Sequence, residues 1–441
     1  MNLDQLRQSM VSQGATQLYV KFLSPNDNSK NQPYLGGDFS SLNILPHGDL
    51  TTENGSRGTR FKAPLNYFWL KDNGELEVAS SAQLILYPQY PEVRFSGFLR
   101  GCKSAPNAVM TSRDEGRVIF LGITKDQRII GYAVFQDHIL ARSVEIFRGI
   151  NQVGVFNQIP ITGIIGAHDA DRQALINELK RIHQLGWINS KRLQSDGSTI
   201  PCNASNCGGY TLEAELGVTP NGYSEPDYRG WEIKQHSVTN LDTPERGIIT
   251  LFTPEPTSGD YKEKGVENFI REYGYPDTYG RPDRINFGGV HRYNNRHERT
   301  ELKLVLLGYD LESGKITDPT QGISLINSDG NEAATWNYAG LIKHWNRKHA
   351  HAAYVASSRQ TKPTLQYRYG SKIHLGTGTD FLLLLKAFCG SRVYYDPGIK
   401  LENASTSYSK IKRRSQFRIK MTDVRSLYFK FEEVDLASYS L

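Results

Sequence analysis

The chain has little sulfur. Its 441 residues include only four cysteines and four methionines. Cys102, Cys202, Cys207 and Cys389 are too few and too unevenly spread for a disulfide framework, so reduced thiols are expected. Long hydrophobic runs are also missing. The longest candidate, "DFLLLLKAF" from Asp380 to Phe388, falls well short of the roughly 18 residues a membrane span needs and reads as a buried element. The opening "MNLDQLRQSMVSQG" lacks the basic start, apolar stretch and small-residue cleavage site of a secretory signal. Together these absences argue against a secreted disulfide scaffold and a helical membrane protein. The expected setting is cytoplasmic, with no membrane partner.

What is present is globular. Hydrophobic residues make up 38% and charged residues 22%, and the length exceeds what one core usually serves, so two domains are expected. A formal net charge of +6 permits a polyanionic partner without requiring one. The excess is concentrated in "KIKRRSQFRIK", Lys410 to Lys420, which contains no acid. Such a run is most often a solvated face. Here, however, Phe417 and Ile419 alternate with Gln416, Arg418 and Lys420, as in a strand with one basic face that suits a DNA groove.

A seam divides the chain. From "QLYVKFL" to "GYAVFQDHILA", short apolar runs alternate with turn clusters such as "SPNDNSKNQP", "ENGSRG" and "KDNG", the texture of an all-β domain over residues 1–168. Then "DADRQALINELKRIHQLGWI" opens with acids and spaces Ala174, Ile176, Leu179, Ile182 and Leu185 at helical intervals, with Gly186 as the stop. A second domain, 169–441, is expected to begin there. Strand patterns at "GWEIKQHS", "IITLFT", "TELKLVLLGYDL" and "SRVYYD" mix with a helix over "AGLIKHWNRKHAHAAYVASS", which favours an α/β architecture.

Chemistry is suggested by "PDYRGWEIKQHS", Pro226 to Ser237. Residues two apart on a strand share a face, so Glu232 and Lys234 point one way while Trp231 and Ile233 point the other. Gly230 allows a turn that brings Asp227 beside Glu232. Two carboxylates that close repel each other, and a divalent cation relieves the repulsion. Mg²⁺ takes oxygen ligands and needs one or two carboxylates plus a substrate phosphate. Lys234 then supplies a compact charge for an attacking water or the phosphate, and the reaction implied is metal-assisted phosphodiester hydrolysis. Alone, the pattern is more often a salt-bridged surface strand. A short helix from about Thr211 adds a third carboxylate, Glu213, directed toward the start of the same strand.

Other constellations are weaker. "CNASNC" has a spacing zinc can use, but no second Cys or His pair lies at finger distance. His344, His349 and His351 are expected to approach phosphate or pack on Trp345 rather than hold a metal. "GTGTD", Gly376 to Asp380, lacks the lysine of a phosphate loop and reads as a turn.

The runs "GWINSKR", "GGYTLEAELGV" and "PDYRGWEIK", followed by "SRVYYDPGIK" and "KRRSQFRI", resemble the MvaI/BcnI family of restriction endonucleases within the PD-(D/E)xK superfamily. The resemblance covers roughly Asp169 to the C-terminus. It implies a MutH-like α/β nuclease fold, Asp227 and Glu232 as metal ligands, Lys234 as the catalytic lysine and Glu213 as a helix-borne active-site glutamate. It further implies Mg²⁺ as cofactor, double-stranded DNA as partner, a monomer that nicks the two strands in sequence, and a CCNGG-type site, with CCWGG the first candidate. A cognate DNA methyltransferase is expected to protect the host. Base readout is expected from Arg392, Asp396, Lys400, Arg413, Arg414, Gln416 and Arg418, arginine being the commonest bidentate partner of guanine.

In the first domain, "LYVKFLSPNDNSKNQPYLGG" and "EVRFSGFLRGCKSAPN" resemble the two DNA-gripping arms of the EcoRII N-terminal domain, a pseudobarrel related to the plant B-three DNA-binding domain. The contacts implied are Lys21, Asn26, Asp27 and Lys30 from one arm and Arg94, Arg100, Lys103 and Asn107 from the other; solvated hairpin loops are the alternative. Two further readings of the whole chain stay open: a DNA-binding regulator with an inert nuclease half, and a strand-nicking repair enzyme.

Overall fold

The computed structural model describes residues 1–25, 32–55, 58–149, 152–161, 167–219, 226–346 and 348–439. Over these the chain is mostly β, in several sheets, and divides into two compact units, Met1–Ala174 and Leu175–Leu441.

The first unit opens with a helix, Leu3–Ser12, started by an Asn2 and Gln5 capping box, so it is not purely β. A seven-stranded sheet follows. At its centre Ala15–Phe22, Val118–Thr124 and Ile129–Val134 pair antiparallel. The inward faces of these strands and the opening helix share a core that includes Leu6, Met10, Leu18, Val20, Phe120 and Ile130. A second, four-stranded sheet runs through Thr51–Gly55, Gly58–Pro64, Gln83–Tyr87 and Glu92–Ser96.

Helix α1 (Ala167–Gln184), which enters the second unit at Leu175, ends at Gly186, whose φ of +67° suits a residue without a Cβ. Its apolar stripe, Leu175, Ile176, Leu179 and Ile182, is buried. Beneath it lies a five-stranded sheet of β1 (Ile188–Asn189), β2 (Glu232–Ser237), β3 (His351–Gln360), β4 (Gln366–Thr377) and β5 (Lys430–Asp435). The order is β1-β4-β3-β2, with β5 pairing the far end of β4; β2 and β3 run parallel and the other pairs antiparallel. Helix α2 (Cys207–Glu215) covers the same face as α1, where Trp231, Ile233, Val355, Ile373 and Leu375 complete the core. Further β-sheets carry the chain from Ile248 to Lys420. One joins Ile248–Phe252, Phe417–Lys420 and Val393–Tyr395, and another joins Arg284–Gly288 to Gly398–Glu402 and Lys410–Lys412.

Three local expectations are corrected. The helix expected over 339–358 stops at Trp345 and β3 begins at His351. Its alanines suggested helix, but Ala352, Ala353 and Ala356 are small because β3 lies buried between two neighbours. Gly376 and Thr377 continue β4, so the turn starts only at Gly378, with φ +67°. The expectation of four reduced thiols fails at Cys202 and Cys207, which form a disulfide across a Cα separation of 5.7 Å; Cys102 and Cys389 are free. Five residues of separation let the chain fold back into bonding distance just before α2.

Candidate nuclease centre

A two-residue turn assembles the centre. Tyr228 and Trp231 exchange both backbone hydrogen bonds, at 2.9 and 2.8 Å, and the residues between them, Arg229 and Gly230, have φ of +46° and +83°. Positive φ at both central positions is the type I′ pattern, whose twist suits a tight hairpin. The chain thereby doubles back, and Asp227 Oδ2 accepts the backbone N–H of Ile233 at 2.9 Å. The fold back brings the Asp227 carboxylate to the start of β2, where Glu232 begins the strand.

On β2 the alternation is as the pattern predicts. Trp231 and Ile233 enter the core, and Glu232 and Lys234 share the opposite face. Glu232 is only 2% exposed. Its Oε1 accepts from Lys234 Nζ at 2.6 Å, with Lys348 Nζ 3.5 Å away, and its Oε2 is buried without a hydrogen-bond partner. Burial raises its pKa, and the two lysines pull the other way.

Glu213 arrives from α2. The helix is held by Tyr369, whose hydroxyl donates to the Gly208 carbonyl at 2.8 Å, and by Thr211, whose hydroxyl accepts the Lys191 N–H at 3.1 Å. One turn face away, Glu215 pairs with Lys191 and Arg181. Glu213 instead faces the carboxylates: burial first, then Asp227 and Glu232, push its pKa up to about 7.

The arrangement thus holds three carboxylates and two lysines. A buried, unpartnered Glu232 oxygen beside a second carboxylate is a donor set that fits a hard divalent cation, for which Asp227 and Glu232 are the oxygen ligands at hand.

Lys348 is the residue that sequence reasoning did not place in the centre. It lies in the turn between helix α3 (Tyr338–Trp345) and β3, and it reaches Glu232 because β3 is the parallel neighbour of β2. Nearby, His349 is buried and stacks on Trp345 at 4.2 Å, as expected of that histidine; burial, then Lys234, holds its pKa far below the usual range.

The basic residues expected to read bases have mixed settings. Arg392, Arg413 and Arg414 are exposed, and Lys400 is half-buried on Gly398–Glu402. Arg418 Nη1 pairs with Asp396 at 2.6 Å, so these two act as a unit. Gln416 is 6% exposed and turned away from solvent. In the first unit, Lys21 sits within a central strand rather than on an arm, and burial lowers its pKa to about 8. Arg94 pairs with Glu92 at 2.9 Å, while Arg100, Lys103 and Asn107 are exposed. Asn26, Asp27 and Lys30 lie outside the described residues.

The chain belongs to the MvaI/BcnI restriction endonuclease family, whose model matches residues 176–428, and is therefore a site-specific deoxyribonuclease. Two solved structures are similar. One, a complex of restriction endonuclease MvaI with cognate DNA substrate, has 18% identity and a TM-score of 0.44, covering 59% of this chain and 97% of that one. The other, MvaI in the absence of DNA, has 16% identity and a TM-score of 0.32, covering 60% and 97%. No curated protein matches the chain.

Proposed function

We propose that the chain is a Mg²⁺-dependent type II restriction endonuclease that cuts double-stranded DNA at a short CCNGG-type site, with CCWGG the first candidate. The observation that carries this reading is the convergence of Glu213, Asp227, Glu232 and Lys234 on one edge of a sheet within a family of restriction endonucleases.

Asp227 and Glu232 would hold the cation, which supplies charge neutralisation at the scissile phosphate and a more acidic water. Lys234, at 2.6 Å from Glu232, favours the ionised form of that carboxylate and would present a cation toward the reacting phosphate. Lys348 approaches the same oxygen and shares that task. Glu213, with its raised pKa, is suited to exchange a proton with the attacking water or to orient it.

The exposed arginines Arg392, Arg413 and Arg414, the Asp396–Arg418 pair and Lys400 are the proposed DNA contacts in this half. Residues 1–168 form a second DNA-binding module, an effector or anchor, in which Arg94, Arg100, Lys103 and Asn107 are the described candidates. The enzyme acts in the cytoplasm as a monomer beside a cognate methyltransferase.

The test is plasmid cleavage by wild type and Asp227→Ala, with Mg²⁺ and with EDTA, followed by sequencing of the ends. Discrete metal-dependent fragments ending at one short GC-rich motif, absent in the variant, are expected. Tight, salt-sensitive DNA binding with no cleavage would make the chain a binding protein with an inert centre.

A further inference from the structure

On the same face of the sheet, two strands from the nuclease centre, three more ligand-type side chains converge. One ladder row runs Lys234, Tyr354, His374, Glu433 across β2, β3, β4 and β5, so His374 and Glu433 stand directly opposite each other. Glu245 closes on the pair from the 3-10 turn Pro244–Arg246 that follows β2. One donor atom from each of the three lies within 4.8 Å of the other two.

The imidazole is fixed in place. His374 is 7% exposed and stacks on Phe431 at 5.6 Å and 17°. Its Nε2 lies 3.3 Å from a Glu433 oxygen, whereas Nδ1 is sealed without a partner, so Nε2 is the nitrogen turned to the carboxylates. The Glu245 turn is pinned as well: the buried His236 Nε2 donates to the Pro244 carbonyl at 2.8 Å. Rigid placement of both the ring and the turn is what a preformed site needs.

An ordinary ion pair accounts poorly for this cluster. Two carboxylates, Glu245 and Glu433, close on one imidazole, so a single ring cannot balance both charges. Lys372 offsets only the far oxygen of Glu433, at 3.9 Å. A dication would neutralise both carboxylates and use the imidazole lone pair.

We propose that Glu245, His374 and Glu433 form a second metal site, separate from the nuclease centre, that takes a borderline dication of the Zn²⁺ class. One nitrogen and two carboxylates select zinc and its neighbours over Mg²⁺, which prefers oxygen alone. Zinc ligands sit about 2.0–2.2 Å from the ion, and small rotations of the two surface glutamates supply the remaining closure. The bound ion ties the turn after the catalytic strand to β5, so it braces the sheet that carries the centre.

The experiment is calorimetric titration of the full-length, metal-stripped chain with Zn²⁺ in the Asp227→Ala background, where the nuclease carboxylate pair is broken. One Zn²⁺ per chain and a rise in Tm are expected. Glu433→Gln and Glu245→Gln, both surface changes that leave the fold intact, are each expected to weaken Zn²⁺ binding by at least about tenfold, the scale that even outer-shell partners command, and to remove the Tm rise. No Zn²⁺ uptake by the Asp227→Ala chain would overturn the proposal. So would uptake that neither glutamine variant changes.

Discussion

Glu232 sits between two lysines, and they are not equivalent. Lys234 approaches it at 2.6 Å and Lys348 at 3.5 Å. Removing a charged donor aimed at a reacting group commonly costs about a hundredfold or more, and the longer approach of Lys348 sets a smaller expectation. Lys348→Ala should slow single-turnover cleavage by at least about tenfold, with Lys348→Arg recovering part of the loss. An unchanged rate would remove Lys348 from the centre. Glu213 predicts a pH effect. Its carboxyl pKa is raised from 4.5 to about 7, so the folded, metal-free chain binds a proton there that the unfolded chain has released. Stability from this group is therefore full below about pH 4.5 and is lost as pH climbs toward 7. Glu213→Gln, which mimics the protonated acid, should flatten the fall of Tm across that window; an identical slope in the variant would refute the raised pKa. Asp227, Glu232 and Lys234 were legible in sequence because they lie within one turn and one strand, where period-two alternation dictates their faces. Lys348 was not, because only the parallel pairing of β2 with β3 brings it there.

At the scale of elements, the Arg229–Gly230 turn is what places Asp227. No neighbouring atom crowds Gly230, so a Cβ there meets only the backbone penalty of its φ of +83°. That penalty is about 1–2 kcal/mol for most residues and smaller for asparagine. Gly230→Ala is expected to lower stability by about 1 kcal/mol and to reduce cleavage by displacing Asp227, while Gly230→Asn restores both. Thermal melts with parallel cleavage assays decide it, and full activity in the alanine variant would mean that the turn does not position the carboxylate. Other elements were readable to different degrees. The acidic start, apolar stripe and glycine stop of α1 were plain. β3 was mistaken for helix because alanine scores as helix-forming on its own, and only burial between two strands explains its small residues. The Cys202–Cys207 bond was missed because composition argues about frameworks and says nothing of two cysteines that one short loop folds together.

At the scale of the whole molecule, the one nuclease centre proposed for each chain carries its own kinetic signature. If one monomer cuts the two strands in turn, nicked plasmid should precede linear DNA at low enzyme concentration. Linear product with no nicked precursor would point instead to paired chains. The chain that starts near Asp169 should still cleave, and comparing it with the full chain on one-site and two-site plasmids separates an effector module from an anchor. Equal cleavage of both plasmids by both chains would leave no effector role for residues 1–168. The sheet order was not legible in the sequence, since it depends on pairings between distant segments.

The strand that carries Glu232 and Lys234 depends on those distant pairings for its ladder. Among the described residues β2 lies at the sheet edge with β3 as its one neighbour, β3 pairs β4, and β4 in turn pairs the late strand β5. During synthesis, Asp227, Glu232 and Lys234 therefore leave the ribosome well before the strands that order them. A nascent or prematurely terminated chain would carry all three residues and yet be unable to cut.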